Sequence, residues 1–132
     1  MKSLFAFVLT ISLSGCVSFP NEYAPVPPDI TIGPPPADTE AAVRAHMETV
    51  LRDPESARYK FEAVHKAYAH EPLTSGGKFA WAGHRIDFAV NAKNGYGGYT
   101  GFQHYIALFS NGRITRTYEA GTSPWVWTFI PD

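Results

Sequence analysis

The sequence predicts an α+β domain, one N-terminal helix packed on an antiparallel sheet of four to five strands, behind an apolar leader and a proline-rich stretch. Three observations predict it. Between positions 38 and 52, apolar residues and charges recur at helical spacing. After position 58, polar and apolar residues alternate in several short runs. Glycine, proline and asparagine separate those runs, and one separator is an Asn-Gly pair.

The helix comes first. Asp38 is placed to cap it, and Glu40 falls in the first turn, where a carboxylate suits the positive end of the helix dipole. Val43, Met47, Val50 and Leu51 fall on one side. Glu40, Arg44, Glu48 and Arg52 recur every four residues with alternating sign on the other, a solvated ladder worth a few tenths of a kcal/mol per pair. Asp53-Pro54 ends the helix, because the residue before a proline is pushed out of the α region. Pro54, Glu55 and Ser56 then suit one short helical turn.

The first strand begins at Arg58, where Tyr59, Phe61 and Ala63 alternate with Arg58, Lys60 and Glu62. The alternation slips near Val64, which predicts a bulge before a second stretch from Lys66 to His70. Glu71 to Gly77 reads as a loop. In the next strand, Ile86, Phe88, Val90 and Ala92 point one way, and Arg85, Asp87, Ala89, Asn91 and Lys93 the other. A third strand is expected from Phe102 to Ser110, a hairpin at Asn111-Gly112, and a fourth strand from Arg113 to Glu119. The run from Trp125 to Ile130 closes the sheet.

Three segments follow from these readings. Residues 1–15 form the leader: Lys2 supplies a positive end, and Leu4 to Leu13 supply ten residues that are mostly apolar. A membrane-spanning helix needs about 20. The stretch ends in Leu13-Ser14-Gly15-Cys16, which resembles the lipobox of bacterial lipoprotein precursors. That resemblance implies cleavage before Cys16 and a lipid on its sulfur, hence a signal peptide and a lipid-anchored cell-envelope protein. Two or more acyl chains, at about 0.8 kcal/mol per buried methylene, give stable anchoring. Val17 is not the aspartate that holds many such lipoproteins at the inner membrane, so the resemblance implies the outer membrane, facing the periplasm, if the cell has two. Cys16 is the sole cysteine, so no internal disulfide is expected.

Residues 16–37 form the second segment, the lipidated cysteine and a tether. Seven of the chain's eleven prolines lie here, at 20, 25, 27, 28, 34, 35 and 36. An extended proline-rich spacer at about 3.1 Å per residue reaches roughly 65 Å. Residues 38–132 are the third segment, one small domain. Without the leader, 10 Lys+Arg stand against 12 Asp+Glu, a net of −2 that offers no electrostatic reason to bind nucleic acid.

The segment singled out for function is Asn91 to Gly101, with four glycines and two tyrosines in eleven residues. Asn91, Lys93 and Asn94 supply hydrogen-bonding groups, and Tyr96 and Tyr99 offer flat faces. Such a surface suits another envelope protein, a peptide or a glycan. The alternative is a connection that needs its glycines only to turn. Asp53-Pro54-Glu55-Ser56-Ala57, Val90-Asn91-Ala92-Lys93-Asn94 and Gly97-Gly98-Tyr99-Thr100-Gly101 together resemble a group of small uncharacterised bacterial envelope proteins over Val50 to Leu108. The resemblance implies no particular activity. Relatives in that group often carry Cys-Gly where this chain has Asp87-Phe88.

Catalytic and metal readings find little support in the spacing. His46, His65, His70, His84 and His104 form no metal-ligand pair: His65 and His70 are five apart on a strand, hence on opposite faces unless the bulge intervenes. His46 falls on the helix's apolar side as a core-edge residue. His84 and Asp87, three apart, also face opposite ways. The serines at 56, 75, 110 and 123 sit in turns without a nucleophile elbow. The expectation is therefore a noncatalytic protein without metal or cofactor that binds through residues 91–101. A structural subunit of an envelope or secretion assembly is the first alternative, and a wall-acting hydrolase using His84 the second.

Overall fold

The computed structural model describes residue 16 and residues 18–131; the leader, with Leu13, Ser14 and Gly15 of the lipobox, lies outside the described residues. The elements are α1 (Thr39–Met47), β1 (Arg58–His70), β2 (Phe79–Asn91), β3 (Gln103–Ser110), β4 (Arg113–Glu119) and β5 (Val126–Phe129). Short 3-10 turns occupy Pro54–Ser56 and Leu73–Ser75. The strands form one antiparallel sheet in the order β4-β3-β2-β1-β5, with α1 on one face.

Asp38 caps α1 as its position predicts, accepting the Ala41 N–H at 2.9 Å. The helix is shorter than the pattern implies. It ends at Met47, where Thr49 bonds the His46 carbonyl through its N–H and its hydroxyl, and the Val50 and Leu51 amides both turn back to Met47. Val50 is consequently 52% exposed and not part of the apolar face. Of the expected charge ladder, only Glu40–Arg44 forms an ion pair, at 3.8 Å. Arg44 lies over the Tyr59 ring at 4.6 Å, so its stem covers apolar surface.

Val43 and Met47 are fully buried against Ile86, Phe88, Val90, Ala107 and Phe109. Each such side chain contributes roughly 1.5–3 kcal/mol on leaving water. The slip near Val64 is a bulge: Phe61 pairs Phe88 and Val64 pairs Ile86, leaving one extra residue on β1. Val64 therefore takes the inward place expected of Ala63, which is exposed. Asn111 and Gly112 adopt φ of 50° and 74°, the hairpin geometry their identities predict.

β2 begins at Phe79, six residues before Arg85. Those residues, Phe-Ala-Trp-Ala-Gly-His, do not alternate because both faces of this half of the sheet are covered. Part of the proline-rich segment covers the helix side. Ala24 donates its N–H to the Gly77 carbonyl at 2.9 Å, and its own carbonyl lies 2.8 Å from His70 Nε2. Tyr23 packs on the His70 ring at 5.3 Å, and Pro36 is buried near Gly112. The segment thus straps the β1–β2 turn to the β3–β4 hairpin, and from Glu22 to Pro36 it does not stand clear as a spacer.

On the other face, residues 120–125 cross from β4 to β5, since those strands occupy opposite edges. Trp125 sits between Tyr118 of β4, at 6.0 Å, and Trp127 of β5, at 5.8 Å. Trp81 joins Trp127 at 5.7 Å, so all three tryptophans pack together. Gly83 lies beneath them, and a Cβ there would collide with the Phe109 carbonyl and the Trp81 ring. No helix among the described residues is long and apolar enough to cross a membrane.

Candidate functional site

The tryptophan cluster covers only half of the face opposite α1. Toward the bulge, that face opens into a groove of about 750 Å³. β1 supplies Lys60, Glu62 and His65, β2 supplies Arg85, Asp87 and Ala89, and Phe129 of β5 forms one wall. His104 and Ala120 close the opposite side. Pairing explains the convergence: Lys60 faces Ala89 across the strands and His65 faces Arg85, and strand pleating sends all four to one face.

Arg85 is held from three directions. Its guanidinium carbon lies 4.8 Å from the Trp127 ring centroid and 5.1 Å from that of Phe129, and Nη2 donates to Asp87 Oδ1 at 2.6 Å. The side chain is only 14% exposed. Its Nε is buried without an acceptor, an unmet donor of the kind that costs about 1–3 kcal/mol. Lys60 rests its ammonium 4.1 Å over Phe102. Neither Lys60 nor Glu62 forms an ion pair among the described residues. His65 packs edge-on against Phe129 at 5.6 Å.

The segment from 91 to 101 is largely occupied with its own shape. Asn91 Oδ1 accepts the Gly101 N–H, and Asn94 Oδ1 accepts those of Tyr96 and Gly98. Lys93 and Tyr99 pair through their backbones, and the Lys93 N–H donates to the Ser56 hydroxyl at 2.8 Å. The Tyr99 hydroxyl donates to the Ser56 carbonyl at 2.8 Å while Arg58 stacks on its ring at 4.6 Å. These contacts fasten the loop to the 3-10 turn at Pro54–Ser56. The Tyr96 side chain takes no part in these bonds, and the residue is 99% exposed. A smaller hollow of about 170 Å³ lies beside the loop, with Leu51, Arg52, Lys93, Asn94 and Gln103 around it. Asn91, Lys93, Asn94 and Tyr99 thus build the loop; Tyr96 is presented almost wholly to solvent, and Tyr99, tied down through its hydroxyl, is 39% exposed.

The histidines divide between the faces. His65 and His104 line the groove, whereas His46 Nε2 lies 3.1 Å from the Thr117 hydroxyl on the helix side and His70 holds the strap. His84 is buried on the helix side opposite Lys66, and burial, then that ammonium, lowers its pKa. Asp87 lies on the groove side, so His84 and Asp87 are not brought together. Among the described residues, no group of three or more His, Cys, Asp or Glu is placed to hold a metal ion. Cys16 is exposed and carries no disulfide.

The groove is not legible in the sequence, although its parts are. Alternation places Arg85, Asp87 and Ala89 on one side of a strand, and Lys60 and Glu62 on the wet face of another. What joins them is the pairing register across the bulge, which no local pattern states. Compared with protein family models, curated proteins and solved structures, the chain matches none.

Proposed function

We propose that this is a noncatalytic, lipid-anchored envelope protein that contacts another envelope component through the loop between β2 and β3. The anchoring half of the reading rests on Leu13-Ser14-Gly15-Cys16 behind a short apolar leader. The observation that carries the contact half is Tyr96, an almost wholly exposed aromatic ring at the tip of a loop whose amides and tyrosine are bonded into place. A ring held on a preorganised loop loses little freedom on binding, so its apolar area converts into affinity with small entropic loss.

Two experiments test the reading. Mass spectrometry of the mature N-terminus should find a lipid-modified Cys16 and no leader; a free thiol or an intact leader overturns the anchor. Cross-linking in the native envelope should recover a partner with the wild-type chain and lose it with Tyr96→Ala, which touches none of the loop's internal bonds. Equal recovery from both proteins would remove the loop from consideration.

A further inference from the structure

We propose that the groove opposite α1 is a second binding site, separate from the Tyr96 loop, and that it takes a small zwitterion: an amino acid or short peptide with a free amine and a free carboxylate. The groove holds charges left without partners. Glu62 and Lys60 both line the groove and neither is paired among the described residues. Arg85 is paired through Nη2 alone. Formally, Lys60 and Arg85 balance Glu62 and Asp87, so the groove complements a ligand that itself carries both signs and does not favour a simple anion or cation.

The register gives the ligand a direction. His65 pairs with Arg85 at one end, Lys60 with Ala89 at the other, and Glu62 lies in the bulge between them. A carboxylate entering beside Arg85 meets a guanidinium already fixed by Trp127, Phe129 and Asp87, so binding need order it little further. An ammonium group further along then reaches Glu62. Phe129, half exposed, and the small floor residue Ala89 leave room for an apolar side chain between the charged ends. A volume of about 750 Å³ is in the range that encloses a small organic ligand.

The histidines supply an internal reporter, since His65 and His104 line the groove while His46, His70 and His84 lie on the other side of the sheet. The probe is the tripeptide Ala-Phe-Ala, titrated into the full-length chain in detergent while the imidazole proton resonances are followed. The expected result is movement of the His65 and His104 resonances alone. Binding should weaken roughly ten-fold or more with the C-amidated peptide and with Arg85→Gln, as loss of one partner of a largely buried charge contact requires. N-acetylation of the peptide and Glu62→Gln should each weaken it too. Glu62 is exposed, so its variant keeps the fold even if Arg85→Gln does not. No movement at millimolar peptide, movement of the other three histidines instead, or equal binding of the capped peptides overturns the proposal.

Discussion

At the residue scale, the two faces of one sheet impose different chemistry on neighbours in sequence. His84 and Arg85 are adjacent, yet His84 is buried beside the Lys66 ammonium and Arg85 is sandwiched by aromatics at a groove wall. Burial and that ammonium hold the His84 pKa below its usual 6.5. The folded protein therefore favours neutral His84, and the unfolded chain binds the proton more readily. The stability contributed is present above the unfolded pKa and is lost as pH falls through the lower folded one. Lowering the pH from about 7 to about 5 should reduce Tm in the wild type, and His84→Gln, which cannot ionise, should flatten that part of the profile. Parallel wild-type and variant profiles would show that other groups set the acid limb. Phe109 is the complementary case. It is fully buried among Val43, Met47 and Ile86, and Phe109→Ala should cost about 3–5 kcal/mol in a urea melt.

At the element scale, the proline-rich segment behaves as part of the domain. Two hydrogen bonds at Ala24, the Tyr23–His70 contact and buried Pro36 hold it to two hairpins. Two net hydrogen bonds, the partly exposed Tyr23 ring on His70 and buried Pro36 together are worth on the order of 2–4 kcal/mol. A chain beginning at Asp38 should consequently melt roughly 10 °C or more below one beginning at Ser18. Equal melting temperatures would mean the strap adds nothing. Composition concealed this, because prolines predict extended backbone equally well when it lies free and when it lies against a sheet. Similarly, Ala63 and Val64 announced a bulge but not its consequence, that Glu62 and Lys60 would share a groove with Arg85. The helix cap at Asp38, the Asn111-Gly112 turn and β4 were legible because each depends on bonds within a few residues. The topology of β5 was not, since pairing with β1 spans some sixty residues and rests on tryptophans packing across the sheet.

At the scale of the whole molecule, the strap changes what an anchor at Cys16 does. Undocked, residues 16–37 reach roughly 65 Å, which would let the domain roam. With Glu22 onward fastened down, the chain between Cys16 and Glu22 spans at most about 20 Å, so the proposed lipid holds the domain close to the headgroups. The strap's face is the one that carries α1, which leaves the groove on the far side of the sheet from the docked segment. Energy transfer from the three tryptophans to a dansyl-headgroup lipid reports that distance directly. Transfer should be efficient for the lipidated chain in vesicles and should fall for the Tyr23→Ala, Ala24→Pro double variant, which removes the ring packed on His70 and the N–H bonded to Gly77 and so loosens the leash without touching the tryptophans. If transfer is equally efficient in both, the strap does not set the height of the domain. If it is absent in both, the domain is not held at the bilayer at all.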